Sequence, residues 1–310
     1  MDSAPSMDAL FERRLVYPDF DAKDRLDRLV GLDDQKLRLS KILGILVNSS
    51  GFESWAKKHH PQADVRARSL LNRPPLVILS GDVGCGKTEL AETIGDSIAR
   101  QEKIDLTLFP LSLSTRGQGR VGEMTQLLSS AFDYVVQEAG RLKGSSGKSR
   151  GGIILLIDEA DAIAQSREAA QMHHEDKAGV NAFIRGVDRL TNGKLPAAVI
   201  MCTNRLKALD PAVKRRAADI LIFERPTEDQ RRNMLKSALE GMGFSDDHIE
   251  TLVSLTGEQP KRNYGFAFSD IRQRLIPAII LDAYPEKAID AKRAIEVAKT
   301  IVPTPPFQDN

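Results

Sequence analysis

The sequence predicts an α/β protein in which a doubly wound parallel sheet is followed by a small all-helical domain. Apolar runs of strand length alternate with helical patterns before Pro226, and this alternation is typical of parallel strands covered by helices. After Pro226 only helical patterns continue. With 310 residues, the chain has the length of one large domain and one smaller domain.

The elements follow one another in a regular order. The apolar runs predict strands at Leu76–Leu79, Leu106–Leu111, Gly152–Ile157, Ala197–Cys202 and Asp219–Phe223. The helical patterns lie at Asp24–Val47, Glu89–Arg100, Glu123–Arg141, Gln165–Leu190, Ala208–Arg216, Glu228–Met242, Ser245–Leu255, Ala267–Ala283 and Glu286–Ile301. We expect a flexible N-terminal stub over residues 1–22, a large domain over 23–225, a helical lid domain over 226–302 and a disordered tail over 303–310.

The composition is that of an ordinary globular protein, with 41% hydrophobic residues, 28% charged residues and a net charge of +1. This balance does not indicate nucleic acid or an anionic membrane as the main partner. No apolar run approaches the roughly 18 residues that span a bilayer, and the first residues lack the basic and apolar regions of an export signal. We therefore expect a cytoplasmic protein with two reduced cysteines, Cys85 and Cys202.

The run Gly81–Thr88 (GDVGCGKT) lies between the apolar run Leu76–Leu79 and a helical pattern. This context is that of the phosphate-binding loop, whose glycines let backbone N–H groups point at phosphate oxygens before the positive end of a helix. Lys87 would bridge the β- and γ-phosphates, and the Thr88 hydroxyl would ligate Mg²⁺. The candidate nucleotide contacts are Gly81, Val83, Gly84, Cys85, Gly86, Lys87, Thr88 and Glu89.

Two carboxylates, Asp158 and Glu159, end the apolar run that begins at Gly152. A buried strand that ends in acids places them at the carboxyl edge of the sheet, beside the phosphate-binding loop. We expect Asp158 to hold Mg²⁺ through its water shell and Glu159 to act as base or orienter for the attacking water. The alternative is a strand end that carries two solvated acids.

Asn204 follows the run Ala197–Cys202, at a position from which it would bond the γ-phosphate or the water. The alternative is a strand-terminating Asn, because Asn favours turns. Arg215 and Arg216 lie on a short helix further along, and an arginine there would stabilise the charge that develops in phosphoryl transfer in a neighbouring subunit. The alternative for either arginine is a solvated basic helix end.

These four segments together resemble the AAA+ ATPases, and the similarity extends from about Leu26 to Ile301. Gly81–Thr88 matches the first Walker motif and Ile153–Glu159 the second. The resemblance implies a P-loop NTPase fold with ATP and Mg²⁺ as cofactors. It also implies the sensor-1 role for Asn204.

The resemblance assigns further residues. Arg216, or Arg215, would be the arginine finger. Val30 and Gly31, in the opening segment Arg28–Asp33, would contact adenine. Ile271 stands where many family members carry the sensor-2 arginine, so Arg272 or Arg274 would substitute.

Within the family, the chain is similar to the pachytene-checkpoint group, which remodels HORMA-domain proteins and has bacterial relatives in CBASS anti-phage systems. The finger segment that continues into Ala218–Ile220 and the Ser269, Arg274 and Pro277 spacing carry this similarity. The chain departs from eukaryotic members in its short stub and in Arg120 and Val121, where the central-pore loop usually presents an aromatic residue.

The resemblance implies a homo-hexameric ring that hydrolyses ATP and partly unfolds a HORMA-domain protein, with Arg120 and Val121 in the pore. A Gly-rich turn without a substrate role is the alternative for that loop. The alternative function is an AAA+ loader or switch that acts on nucleic-acid machinery. The near-neutral charge disfavours it, although the basic patch Lys57–His60 keeps it open.

Overall fold

The computed structural model describes residues 10–62, 73–112, 122–144, 149–162, 174–260 and 262–307. The chain divides into two compact units. Unit 1 comprises Met1–Arg28, Asp33–Ser80 and Thr88–Ile222, and unit 2 comprises Leu29–Leu32, Gly81–Lys87 and Phe223–Asn310. Unit 2, which holds the helices after Pro226, therefore also includes the two short segments Leu29–Leu32 and Gly81–Lys87.

A six-stranded sheet is built almost wholly from unit 1, and its strand order is β1-β3-β4-β5-β2-β6. The strands are β1 (Leu15–Tyr17), β2 (Leu76–Gly81), β3 (Asp105–Ser112), β4 (Gly151–Asp158), β5 (Ala197–Thr203) and β6 (Ala217–Phe223). The parallel pairs are β3 with β4, β4 with β5, and β5 with β2. The doubly wound parallel sheet predicted from the sequence is confirmed, with an antiparallel edge strand, β1, that was not predicted.

Helices cover this sheet, which explains why its central strands are apolar along their whole length. All 7 residues of β5 are buried. The α-helices among the described residues of unit 1 are α1 (Phe20–Asp27), α2 (Asp33–Val47), α3 (Ser49–His59), α4 (Lys87–Glu102, whose first residue belongs to unit 2), α5 (Glu123–Leu142), α6 (His174–Gly193) and α7 (Pro211–Lys214). In the core, Phe132 of α5 meets Phe183 of α6 edge to face, with ring centroids 5.8 Å apart.

The expectation of a poorly structured stub over residues 1–22 is wrong for the described residues 10–22. β1 pairs with β3 in antiparallel orientation, with Leu15 opposite Leu108. Phe11 and Tyr17 are each only 1% exposed, and the Phe11 ring lies 4.9 Å from that of Phe109. A strand of 3 residues is too short to show an alternating pattern, so the sequence gives little sign of it.

Helix α7 is much shorter than the predicted helix Ala208–Arg216. The Asp210 side chain accepts a hydrogen bond from the N–H of Ala212, and Pro211 occupies the first helical position. Asp and Pro at these two positions fix where a helix begins. The helical pattern before Pro211 therefore does not continue into α7.

Unit 2 contains four α-helices among its described residues. They are α8 (Glu228–Leu239), α9 (Asp246–Thr256), α10 (Ile276–Ala283) and α11 (Ala291–Thr300). α8 and α9 each begin with a capping box, from Thr227 and Ser245. Their apolar faces close over a core that includes Leu235, Leu252 and Leu275.

A π-helix, Asp270–Leu275, precedes α10. Its last turn is closed by the N–H of Ile276, which bonds the carbonyl of Ile271. Pro277 has no N–H to donate and its ring conflicts with regular α-helical packing of the preceding turn. A wider turn at this point accommodates the proline.

The expectation of a disordered tail over residues 303–310 is wrong for its described part. The Thr304 hydroxyl donates to Asp270 Oδ1 at 2.8 Å, and the Phe307 N–H donates to Asp82 Oδ1 at 3.0 Å. Proline-rich composition indicated disorder, but the segment is held by carboxylates that are distant in sequence. No helix in the described part of the chain is both long and apolar enough to cross a bilayer.

Candidate nucleotide site

The predicted phosphate-binding loop, of which Gly81–Lys87 belong to unit 2, is curled by its glycines. Gly84 and Gly86 have φ angles of 74° and 88°, in the left-handed region that glycine adopts without strain. A Cβ atom at Gly84 would lie 2.0 Å from Ser269 Oγ. The N–H of Ser269 also donates to the Gly84 carbonyl at 3.1 Å. The loop at Gly84 therefore has room only for glycine.

Lys87 is folded back over the same loop. Its Nζ donates to the carbonyl oxygens of Gly81 and Asp82 at 2.9 and 2.8 Å, and the residue is 8% exposed. A buried ammonium group needs oxygen partners, and the curled backbone supplies them. The loop thus holds a positive charge at its centre, as phosphate binding requires.

The predicted adenine segment, with Val30 and Gly31, also belongs to unit 2. Gly31 has a φ of 76°, and its carbonyl accepts a hydrogen bond from Gln230 Nε2 at 2.9 Å. A Cβ atom at Gly86 would lie 3.1 Å from Leu32 Cδ1. The segment is therefore packed beside the phosphate-binding loop, and Val30 is exposed.

Cys85 is fully buried within the loop. Burial raises the pKa of its thiol to about 11, with the charge of Asp82 as the next cause. A thiol with this pKa stays protonated near neutral pH and is a poor nucleophile. The structure therefore supports a packing role for Cys85 rather than a redox role.

Thr88 and Glu89 lie in the first turn of α4, in unit 1. The Glu89 carboxylate is occupied by Arg25, whose Nε and Nη2 donate to its two oxygens at 2.8 and 3.1 Å. Hydrogen bonding to Glu89 and Glu92 raises the pKa of the Arg25 guanidinium. The carboxylate of Glu89 thus secures α1 to α4, which leaves only its backbone N–H for a nucleotide.

The predicted catalytic carboxylates lie at the end of β4. The backbone N–H of Glu159 donates to Asp158 Oδ1 at 2.9 Å. Glu159 has a φ of 51°, which is rare for a residue with a side chain and is typical of functional sites that hold local strain. Its side chain is exposed. A small pocket of about 110 Å³ beside it is also lined by Glu12 and Glu92.

Asn204 follows β5, the neighbour of β4. Its backbone N–H donates to Asp161 Oδ1 at 3.2 Å, and the Thr203 hydroxyl donates to the same oxygen. The Thr203 hydroxyl in turn accepts from the N–H of Arg205 at 3.0 Å. Asp161 thus fixes the strand end that presents Asn204.

The sequence interpretation assigned no role to Asp161 or Thr203. Asp161 follows Glu159 by two residues, so it was visible as a further acid in the same motif. Thr203 directly precedes Asn204 and is 1% exposed. Only the fold shows that these two side chains join the ends of β4 and β5.

The two candidate finger arginines, Arg215 and Arg216, differ in whether their side chains are bonded within the chain. Arg216 is paired with Asp188 of α6, to which its Nε and Nη2 donate at 2.7 and 2.9 Å. Its Nη1 also donates to the Ala212 carbonyl at 3.1 Å. Arg215 is exposed, and its side chain has no hydrogen-bond or ion-pair partner within the described ranges of the chain.

The sensor-2 candidates lie on the π-helix of unit 2. Ile271 is fully buried, so its position serves packing in this chain. Arg274 Nη1 donates to Asp270 Oδ1 at 3.1 Å, whereas Arg272 is exposed without such a partner among the described residues. The predicted pore residues Arg120 and Val121 lie outside the described residues.

Comparisons with known proteins agree with these features. The model of the ATPase family associated with various cellular activities (AAA) matches residues 77–225. CD-NTase-associated protein 6 of Escherichia coli (strain MS 115-1) is 63% identical over 309 residues, which are 100% of this chain and 99% of that protein. The chain belongs to the AAA family of ATPases.

Solved structures of related proteins also match this chain. A chain of the E. coli MS115-1 HORMA:CdnC:Trip13 complex matches with a TM-score of 0.92 and 63% identity, over 99% of this chain and 100% of that chain. A Rhizobiales Trip13 structure matches with a TM-score of 0.74 and 52% identity, over 96% and 100%. Within the AAA family the chain is thus similar to CD-NTase-associated protein 6 and Trip13, which confirms the resemblance drawn from its motifs.

Proposed function

We propose that this chain is a ring-forming ATPase that uses Mg²⁺-ATP to remodel a HORMA-domain protein and so regulates a CBASS anti-phage system. The observation that carries the proposal is its match, over 99% of its length with a TM-score of 0.92, to a chain solved in a HORMA:CdnC:Trip13 complex. We extend that partner class to this protein and propose a cytoplasmic homo-hexamer.

The phosphate-binding loop supports ATP binding. Its curled backbone and the buried Nζ of Lys87 are suited to the β- and γ-phosphates. The Thr88 hydroxyl and the Asp158 carboxylate offer oxygen ligands of the kind that Mg²⁺ prefers, with water completing its shell. Bound Mg²⁺ would neutralise phosphate charge, and these two side chains would hold it in place.

Glu159 is proposed to orient the attacking water and accept its proton. Its backbone has the rare φ of 51°, and its carboxylate is exposed. Asn204 is proposed to contact the γ-phosphate or the water, from a position that Asp161 fixes. Together these side chains provide a base and a polar contact at one edge of the sheet.

The finger role is proposed for Arg215. Since Arg216 is bound to Asp188 of the same subunit, it is suited to hold α7 against α6. The Arg215 side chain, which is unpaired as far as the described residues go, is proposed to reach a neighbouring subunit. Arg272 is the proposed sensor-2 residue for the same reason, because Arg274 is bonded to the buried Asp270.

Work on the partner is proposed to pass through a central pore. The family resemblance assigns Arg120 and Val121 to the loop that lines it. An arginine in place of an aromatic side chain would favour acidic or polar substrate segments, since it offers five N–H donors and a fixed charge.

The Glu159→Gln variant tests the proposal. Without the carboxylate, hydrolysis should fall by roughly 100-fold or more while ATP binding remains. The substrate should then stay bound to the ring. We would purify this variant from its host with ATP, with Glu138→Gln as the matched control, because Glu138 is a surface acid paired with Arg141.

Recovery of a HORMA-fold protein with Glu159→Gln, and not with Glu138→Gln, is the expected result. Co-purifying nucleic acid or replication factors would instead support the loader alternative. Turnover near the parent rate in Glu159→Gln would remove Glu159 from the catalytic role.

A further inference from the structure

Asp82 is the second residue of the phosphate-binding loop, and its carboxylate is fully engaged within unit 2. Oδ1 accepts the N–H of Val83 at 2.8 Å and the N–H of Phe307 at 3.0 Å. Oδ2 accepts Nε of Arg225 at 2.6 Å. The side chains of Asp82 and Arg225 are 16% and 14% exposed, so this ion pair is shielded from water and salt.

Arg225 connects this carboxylate to two further backbone segments. Its Nη1 donates to the Gly265 carbonyl at 2.5 Å, and its Nη2 donates to the Thr304 carbonyl at 2.8 Å. Its guanidinium carbon lies 5.2 Å from the centre of the Tyr264 ring, within the range of a cation–π contact. One side chain thus joins the loop, the residues before the π-helix and the segment after α11.

That last segment, Pro303–Phe307, is held at a second point. The fully buried Asp270 accepts the N–H of Thr304 at Oδ2 (3.1 Å) and its hydroxyl at Oδ1 (2.8 Å). Ser269, next to Asp270, donates its N–H to Gly84 of the loop. We call Pro303–Phe307 the clasp segment, because it is bonded to the loop at Asp82 and to the helix that contacts Gly84.

We propose that the clasp segment is a positioning element for nucleotide binding: by holding Asp82, it keeps the phosphate-binding loop in the curl that receives ATP. The Asp82 backbone carbonyl is one of the two that bind Lys87 Nζ, so rotation of this residue would move the ammonium group. Preorganised sites bind more tightly because they pay less ordering cost. The inference rests on the proposed ATP binding in this loop.

Two substitutions at Phe307 separate the backbone bond from the side chain. Phe307→Pro removes the N–H that Asp82 accepts, and it extends an existing Pro305-Pro306 run whose extended conformation suits a further proline. Phe307→Ala keeps the N–H and removes the ring, which is 44% exposed. ATP affinity would be measured by titration calorimetry in the Glu159→Gln background, so that hydrolysis does not consume the ligand.

Phe307→Pro is expected to weaken ATP binding by about fivefold or more, since it removes a hydrogen bond to a charged group. Phe307→Ala is expected to change it by less than about twofold. With Glu159 restored, Phe307→Pro should raise the KM for ATP and leave kcat at saturating ATP within about twofold. Equal melting temperatures would show that the fold is intact.

Asp82→Asn provides a second readout. The amide oxygen still accepts both N–H groups, but the amide nitrogen that replaces Oδ2 cannot accept Nε of Arg225 and the ion pair is lost. ATP affinity should therefore fall at least as far as in Phe307→Pro. The proposal would be overturned if Phe307→Pro and Phe307→Ala bound ATP with the same affinity, whether that affinity equalled the parent's or was lower. If the parent chain itself bound no ATP, the proposed ATPase function would fail as well. The parent's ATP affinity therefore distinguishes failure of the clasp proposal from failure of the proposed function.

Discussion

Arg215 and Arg216 are neighbours in sequence but differ in charge environment. Hydrogen bonding to Asp188 raises the pKa of Arg216, and the pair is bidentate, which adds directional strength. If the Arg216 side chain were inserted into another subunit's site, its ion pair with Asp188 would break. Inserting the Arg215 side chain would break no ion pair among the described residues.

Arg215→Ala should therefore abolish ring-dependent ATP hydrolysis, by roughly 10³-fold as for other arginine fingers, with ATP affinity and melting temperature unchanged. Arg216→Ala should lower the melting temperature instead, because Asp188 loses its partner. Steady-state turnover and thermal unfolding of the two variants decide between them. Loss of turnover in Arg216→Ala alone, at an unchanged melting temperature, would contradict the assignment.

The sequence predicted which residues belong to the candidate site, but not which of their side chains are bonded to other residues of the chain. The Walker motifs, Asn204 and the arginine pair were visible because they follow apolar runs at recognisable spacings. The partners of Arg216 and Glu89 were not visible. Asp188 lies 28 residues before Arg216, and Arg25 lies 64 residues before Glu89, and no local pattern relates such positions.

At the scale of elements, the ends of β4 and β5 are joined by one carboxylate. Ile157 lies opposite Met201 in the parallel register of the two strands. Asp161, just beyond β4, accepts the hydroxyl of Thr203 and the N–H of Asn204 beyond β5. A shift in one strand end is thereby transmitted to the other.

Thr203→Val preserves the shape of this buried side chain and removes its hydroxyl. Asp161 would then hold this strand end only through the N–H of Asn204. Because Asn204 would be less firmly positioned, we expect kcat to fall by about tenfold with the KM for ATP nearly unchanged. Thr191→Val is the matched control, since the Thr191 hydroxyl donates to the Val187 carbonyl of its own helix. An unchanged kcat in folded Thr203→Val would exclude the positioning role.

β1 and the residues before it form part of the unit 1 core. Phe11 is 1% exposed and packs on Phe109 and Tyr134. Phe11→Ala should lower the free energy of unfolding by about 3–5 kcal/mol, the usual cost of emptying a buried aromatic site. Phe20→Ala, at a residue 79% exposed, is the control.

Chemical denaturation of both variants measures the difference. Equal stabilities would mean that residues 10–17 can detach from the sheet at no cost. The sequence allowed no such prediction for this segment, because Phe11 and Tyr17 become core residues only through an antiparallel partner about ninety positions later. The longer parallel strands, buried on both faces, could be predicted from their apolar runs alone.

The whole molecule is proposed to couple ATP hydrolysis to work on a protein partner. The AAA family membership establishes an ATPase. The chain's similarity extends over its whole length to proteins named for their association with CD-NTases. The proposed remodelling is driven by ATP hydrolysis, so we expect the effect on the partner to depend on turnover.

The most direct test is the backbone amide exchange of a HORMA-domain protein from the same host, measured with this chain and ATP. We predict faster exchange in the HORMA protein with the parent chain and ATP, and no acceleration with Glu159→Gln or without nucleotide. Exchange that is unchanged by the parent chain and ATP, while ATP is being hydrolysed, would contradict the remodelling function.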